Sequence, residues 1–231
     1  MKTYSVFLMD ADETLFDFKA AEAAALRETL AECGIACTDT MLTRYSEIND
    51  ALWKQLERGE VTRAALIVER FVRLAAEFGL TLDAPAFDQR FKQNLAEASI
   101  LFDDAEQVCR TLVRRGAVIH IITNGSAVVQ HQRFAKCPVR DCFSGLFISE
   151  EMGVPKPEKA FFDQVFAALP GIAREEMLIV GDSLSSDIAG GCNAGLDTCW
   201  FNPQGKENTS PYHPTYEIRS LAELYAFCKA D

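Results

Sequence analysis

The sequence has little positive charge and no long apolar run. Its 23 lysines and arginines face 34 aspartates and glutamates, which gives a net charge of −11. A general affinity for nucleic acid is not expected, because that affinity depends on basic side chains that neutralise phosphates. No stretch approaches the roughly 20 apolar residues of a membrane-spanning helix. We therefore expect neither a nucleic-acid polymer nor a membrane as a partner.

The eight cysteines also lack a pattern that would give them a function. None of them forms a C-x-x-C pair, so neither a zinc site nor a thioredoxin-like motif is indicated. The first residues lack the basic region, the apolar region and the cleavage site of a signal peptide. We therefore expect reduced, mostly buried thiols in a cytoplasmic protein.

Internal repeats and low-complexity linkers are absent, so the organisation must be found in the hydrophobic pattern. The 231 residues are 48% hydrophobic and 25% charged, which suits one large globular domain or two smaller ones. Residues 20–97 show the spacing of amphipathic helices and no strand alternation. Four helices are predicted there, with Asp39 and Thr40 as candidate caps of the second. Consecutive helices of this kind form a compact bundle.

From about residue 103 the pattern alternates between strand and helix. The predicted strands are 118–122, 146–148, 177–180, 198–201 and 215–218, and the predicted helices are 105–115, 127–135, 157–169, 186–194 and 221–228. With the apolar run 5–9 as the first strand, this alternation is typical of a parallel sheet with helices on both faces. The sequence therefore predicts an α/β, Rossmann-like core of residues 1–16 and 98–231, with an α-helical cap inserted over residues 17–97.

The first strand ends in two acidic residues, Asp10 and Asp12, followed by Thr14. Ligands of open α/β sheets bind at the carboxyl ends of the strands. Two neighbouring carboxylates repel each other, and a hard cation such as Mg²⁺ relieves that repulsion. One carboxylate can then act as a nucleophile while the other transfers protons. An Asx turn or a helix cap would use the same residues, so the pair alone does not decide between these roles.

A second candidate group, Thr123, Asn124 and Gly125, follows the strand 118–122. A hydroxyl and exposed amides at a strand-to-helix turn suit a phosphoryl oxygen, and the helix N-terminus adds to the attraction. A capped turn would have the same composition.

Lys156 and two further acidic residues, Asp182 and Asp187, complete the set. Lys156 lies between two prolines, which hold its charge where it can balance phosphate and carboxylates. Asp182 follows a strand, as Asp10 does, and offers a third carboxylate to a metal. Asp187 would hold metal-bound water or orient Lys156. A surface lysine and a capped helix explain each feature alone, but not four such features at one edge of the sheet.

Together these motifs resemble those of the haloacid dehalogenase-like phosphohydrolases. The motifs are Asp10-Ala11-Asp12-Glu13-Thr14, Thr123-Asn124-Gly125, Lys156-Pro157 and the stretch from Gly181 to Asp187. More narrowly, the chain resembles the noncanonical pyrimidine 5′-nucleotidases of bacteria, in the stretches Phe7 to Phe16, Ile148 to Pro157 and Asp197 to Pro203.

The resemblance implies a magnesium-dependent phosphomonoesterase that forms an aspartyl-phosphate. Magnesium would be held by the carboxylates of Asp10 and Asp182 and by the backbone carbonyl of Asp12. Asp10 would attack phosphorus, while Asp12 would protonate the leaving oxygen and then activate water. Thr123, the nearby amides and Lys156 would bind the phosphoryl oxygens.

The cap would then select the substrate, and three aromatic residues are candidates for this role. Phe16 and Phe18 lie at the junction with the cap, and Trp53 lies on its second helix. An aromatic ring can stack on a flat base, which would favour UMP, dUMP and dTMP. Packing of the cap would explain the same residues.

Several alternatives remain open at this point. They are a phosphatase for phosphoglycolate or a sugar phosphate, a phosphosugar mutase, and a binding protein without activity. A dehalogenase needs no acid at the position of Asp12, and this residue argues against it. The chain would act as a monomer or homodimer. The three histidines receive no role, and His120 is expected to be a hydrogen-bonded core residue.

Overall fold

The computed structural model describes residues 2–229 and divides the chain into two units. One is the helical segment Phe18–Ile100, and the other is an α/β unit formed by the chain on both sides of it. The α/β unit resumes at Leu101 because this residue forms an antiparallel bridge with Phe16. The helical unit therefore begins and ends slightly later than the predicted limits of residues 17–97.

The helical unit contains four helices. They are α1 (Phe18–Glu32), α2 (Asp39–Glu57), α3 (Arg63–Phe78) and α4 (Ala84–Glu97). Helix α2 is capped by Thr38 rather than by the predicted Asp39 or Thr40, because the Thr38 hydroxyl accepts a bond from the amide of Met41. Gly79 ends α3 in the left-handed conformation that glycine adopts at least cost. In the part of the chain that the structure describes, no helix has the length and hydropathy needed to cross a bilayer.

The α/β unit is built on six parallel strands. They are β1 (Val6–Met9), β2 (Val118–Thr123), β3 (Phe143–Ile148), β4 (Met177–Gly181), β5 (Asp197–Phe201) and β6 (Tyr216–Ile218). The order across the sheet is β3-β2-β1-β4-β5-β6. The chain thus builds one side of the sheet outward from β1 and then returns to build the other side from β4. A sheet of this kind binds ligands at the carboxyl ends of the strands where the direction reverses, here between β1 and β4.

Helices α5 (Ala105–Arg114), α6 (Ala127–Lys136), α7 (Ser149–Met152), α8 (Lys159–Ala168) and α9 (Ala189–Ala194) connect the strands. Buried apolar clusters lie against both faces of the sheet. Strand β1 is buried at all four residues, since a parallel sheet covered on both faces leaves no polar side. All eight cysteines lie among the described residues and are free thiols, five of them buried.

Among the differences between the predicted and the observed elements, three have a local physical reason. The predicted helix 186–194 begins as a π-helical turn, Leu184–Ile188, and the predicted helix 221–228 is the 3₁₀ segment Leu221–Phe227. Apolar spacing does not separate these helix types over so few residues. Strand β3 begins at Phe143, before the predicted 146, because pairing with β2 extends it through Ser144 and Gly145, which are poor strand formers.

Candidate active site

Asp10 and Asp182 lie at the tips of two neighbouring strands, at the point where the sheet order reverses. The amide of Asp10 donates a hydrogen bond of 2.8 Å to the carbonyl of Val180, so β1 and β4 stay paired up to the site. Carboxylate oxygens of Asp10, Asp182 and Asp187 lie within 4.8 Å of one another. The fold therefore brings together three acidic residues that are far apart in the sequence.

Lys156 contacts two members of this cluster and is only 2% exposed. Its Nζ donates to Oδ1 of Asp10 (2.6 Å), to Oδ1 of Asp187 (2.7 Å) and to the carbonyl of Ile122 (2.8 Å). These bonds use all three protons of the ammonium group. Lys156 therefore anchors the two carboxylates, and the predicted contact with phosphate would require one of these bonds to break.

Asp187 contacts Lys156, which is the residue that it was predicted to orient. Its Oδ1 accepts from Lys156, and its Oδ2 accepts from the amide of Ser183 at 3.1 Å. A Cβ atom at Gly181 would lie 2.2 Å from this Oδ2. Glycine at the end of β4 therefore allows the carboxylate to lie directly against the strand tip.

The electrostatics of the cluster suit a divalent cation. Burial raises the pKa of Asp10 above its usual range, although the Lys156 ammonium acts in the opposite direction. Loss of hydration also raises the pKa of Asp182 well above its usual range, and the charges of Asp10 and Asp187 add to this. Burial alone would lower the pKa of Lys156, but the two carboxylates outweigh it and keep the ammonium charged. Three carboxylates thus lie near a single ammonium group, which leaves an excess of negative charge. Their oxygens are the ligand atoms that a hard cation prefers.

The turn after β2 contains the predicted phosphate-binding residues, and their side chains differ in what they contact. The hydroxyl oxygen of Thr123 accepts from the amide of Gly125 at 3.0 Å, which leaves its own proton to be donated. The Asn124 side chain instead pairs with the backbone of Lys156, through bonds of 2.9 and 3.0 Å. Asn124 therefore joins two loops of the site, a role that the sequence alone did not indicate.

Asp12 has two partners on α6 that were not predicted. Nε2 of Gln130 donates to its Oδ2 at 2.8 Å, and Nη2 of Arg133 donates to its Oδ1. No role was predicted for either residue, and both are polar residues of an amphipathic helix. The available signal was their position, because residues three apart on a helix share a face, and here that face also carries Val129 and Phe134.

The three candidate aromatic residues lie in different surroundings. Phe16 has no exposed surface and packs edge-on against Phe134, with ring centroids 5.0 Å apart. As placed, it is the least suited of the three to stack on a base. Phe18 is the first residue of α1 and is half-buried. Trp53 is half-buried beside a small apolar cluster, and the guanidinium of Arg63 lies 5.5 Å from its ring.

His120 is buried, as expected, but the expected hydrogen bonding is wrong for its Nδ1 atom. Its Nδ1 has no hydrogen-bond partner among the described residues. The ring lies beside Phe147 within the sheet, where it meets an aromatic side chain. Burial lowers the pKa of His120, which favours the neutral form of the ring within the sheet.

Comparisons with known proteins agree with this geometry. The family model for haloacid dehalogenase-like hydrolases matches residues 4–195. The putative HAD-hydrolase YfnB of Bacillus subtilis is 40% identical over 97% of this chain and 95% of its own length. Its crystal structure, which is bound to magnesium, superimposes with a TM-score of 0.93 over 97% of this chain and 98% of the other.

Two similar proteins are named for an activity. The pyrimidine 5′-nucleotidase PynA of Streptococcus pneumoniae is 37% identical over 96% of this chain and 93% of its own length. The pyrimidine 5′-nucleotidase YjjG of Escherichia coli is 35% identical over 93% of each chain. With the strand order, the acidic cluster and these matches in agreement, the chain belongs to the haloacid dehalogenase-like hydrolases.

Proposed function

We propose that this hydrolase is a magnesium-dependent phosphomonoesterase with Asp10 as its nucleophile, and that its substrates are pyrimidine nucleoside monophosphates. The observation that carries the proposal is the cluster at the switch point, where Asp10 is held by Lys156 beside Asp182 and Asp187. Asp12, with 25% of its side chain exposed, lies two residues further along the chain.

The chemistry assigned to Asp10 follows from how it is held. The Lys156 ammonium binds Oδ1, and the Thr14 hydroxyl lies 3.4 Å from Oδ2. An oxygen of this carboxylate attacks phosphorus, and the bond from phosphorus to the nucleoside oxygen breaks. The resulting aspartyl-phosphate is then hydrolysed, which releases inorganic phosphate and restores Asp10.

Asp12 transfers the protons for both halves of the reaction. It donates a proton to the nucleoside oxygen as that bond breaks, and it then takes a proton from the attacking water. The Thr123 hydroxyl and the amides of the following turn donate to the phosphoryl oxygens, whose charge changes during the transfer.

Asp10 and Asp182 would hold magnesium through their carboxylates, and Asp12 through its backbone carbonyl. When bound, the ion supplies positive charge that keeps the buried carboxylates ionised and neutralises the phosphoryl group. The magnesium bound in the related YfnB structure supports the choice of this ion.

Removal of divalent cations should abolish turnover. Excess EDTA should stop release of phosphate from p-nitrophenyl phosphate, and added Mg²⁺ should restore it. Mg²⁺ should also raise the melting temperature of the wild type, because a ligand that binds only the folded state stabilises it. The increase should be much smaller in Asp182→Asn, whereas exposed Asp103→Asn is a matched control. Full activity in EDTA would contradict the proposal.

The names of PynA and YjjG support the pyrimidine assignment, because the sequence match to each relative covers almost the whole of this chain. We expect higher kcat/KM for UMP, dUMP and dTMP than for purine nucleotides, phosphoglycolate or hexose phosphates. Equal kcat/KM for dUMP, AMP and a hexose phosphate would contradict the pyrimidine assignment, whereas the proposed phosphomonoesterase activity would stand. Release of inorganic phosphate, rather than an isomeric sugar phosphate, separates this activity from that of a mutase.

An aromatic residue of the helical unit is predicted to contribute to that preference. If Trp53 or Phe18 stacks on the base, its replacement by Ala should raise KM for dUMP by about 5- to 150-fold, from stacking precedents of about 1–3 kcal/mol. KM for p-nitrophenyl phosphate should change little. Leu56→Ala is the matched control for Trp53→Ala, because Leu56 packs on the same apolar cluster. If Leu56→Ala raises KM for dUMP as much, stacking by Trp53 is excluded.

A further inference from the structure

Both carboxylate oxygens of Asp12 are bound by side chains of a single helix, α6. Gln130 donates to Oδ2 at 2.8 Å, and Arg133 donates to Oδ1. Gln130 and Arg133 are 1% and 0% exposed, whereas Asp12 keeps a quarter of its side chain accessible. An accessible carboxylate is thus held in one orientation by two buried groups.

The stability of the fold does not account for an arginine at this position. Nε and Nη1 of Arg133 are buried and have no hydrogen-bond partner among the described residues. The guanidinium lies 4.5 Å from the ring of Phe16, and Asp12 is the acidic partner that the structure gives it. Burying a charge is costly, and well-packed apolar residues often stabilise as much as a buried ion pair. What the arginine does contribute is a fixed contact to Asp12.

Gln130 is accommodated by the neighbouring turn. A Cβ atom at Gly125 would lie 2.1 Å from Nε2 of Gln130, so only glycine leaves room for this amide. The same Nε2 lies 3.3 Å from the hydroxyl oxygen of Thr123. Gln130 therefore connects the residue proposed to bind phosphate with the residue proposed to transfer protons.

We propose that Gln130 and Arg133 are positioning residues, which hold the Asp12 carboxylate where it can protonate the leaving oxygen. This inference rests on the proposed function. Neither residue is assigned a contact with the substrate, and each acts through Asp12. Positioning of this kind matters because a displacement of about 1 Å can cost about 10²-fold in rate.

The test compares two esters that differ in their need for a proton. Arg133→Met and Gln130→Ala should lower kcat/KM for dUMP by about 10- to 100-fold. For p-nitrophenyl phosphate, whose leaving group hardly needs a proton, the loss should be within about threefold. Gln132→Ala, an exposed position on the same helix, should leave both values unchanged. Because p-nitrophenyl phosphate reports on folding and on Asp10, a misfolded variant would lose both activities.

A double-mutant cycle then asks whether Arg133 acts through Asp12. In an Asp12→Asn background, Arg133→Met should cause almost no further loss with dUMP, because the group that it positions is already gone. An additive loss would overturn the inference, and so would an equal loss on both esters in single variants whose melting temperature matches that of the wild type. A wild-type protein that hydrolyses neither ester would instead overturn the proposed function, and the inference with it.

Discussion

The Asp10→Asn variant is expected to lose turnover by about 10⁴-fold or more, while the fold is retained. The amide has nearly the shape of the carboxylate, and its oxygen still accepts from Lys156, which also keeps its bonds to Asp187 and to the carbonyl of Ile122. What is lost is the negative charge that attacks phosphorus. Release of inorganic phosphate from dUMP and from p-nitrophenyl phosphate measures this loss.

Asp103→Asn is the matched control, because Asp103 is an exposed acid of the same α/β unit. Its activity should equal that of the wild type. Mass spectrometry of acid-quenched wild-type protein should find a phosphoryl group on the peptide that contains Asp10, and beryllofluoride should inhibit by mimicking that state. If Asp10→Asn keeps substantial activity, or if the phosphoryl group lies on another residue, Asp10 is not the nucleophile.

The Asp12→Asn variant should lose kcat/KM for dUMP by about 10²- to 10⁴-fold, the usual contribution of general acid–base catalysis. The loss in kcat/KM for p-nitrophenyl phosphate should be much smaller, because nitrophenolate leaves without a proton. With that substrate, a rapid burst of nitrophenol followed by slow turnover is expected, since Asp12 is still needed to activate the water that hydrolyses the intermediate.

Asn at residue 12 keeps the backbone carbonyl that is assigned to magnesium, so the variant tests the side chain alone. Its Mg²⁺ dependence should therefore match that of the wild type. An equal loss of kcat/KM on both esters would mean that Asp12 mainly positions the metal or the nucleophile.

Local patterns were sufficient for most of the architecture. The buried run of β1 and the strand-to-helix alternation after residue 103 predicted the parallel sheet, because both depend on neighbouring residues. The limits of α3, between Thr62 and Gly79, are likewise set by local capping chemistry. Elements held by pairing or by a few residues, such as the start of β3 and the π-helical turn before α9, had no comparable signal.

In the candidate site, too, some features were predictable from local sequence and others were not. Asp10 and Asp182 were recognisable because each follows a predicted strand, and the carboxyl ends of parallel strands share one edge. Lys156 was recognisable because prolines flank it on both sides. Apart from the expected contact between Asp187 and Lys156, the partners of those residues were not recognisable. Asn124 bonds the backbone of Lys156, 32 residues away, whereas its place in the sequence predicted only phosphate binding or a capped turn.

The sequence by itself determined which chemical groups stand at the strand tips, since strand ends and turns are set by short-range patterns. Only the tertiary structure decided what holds those groups in place. Gln130 and Arg133 lie 118 and 121 residues from the carboxylate that they bind. No periodicity in the sequence links such distant positions. Their contact arises only when α6 packs beside the loop after β1, which brings the buried face of α6 against Asp12.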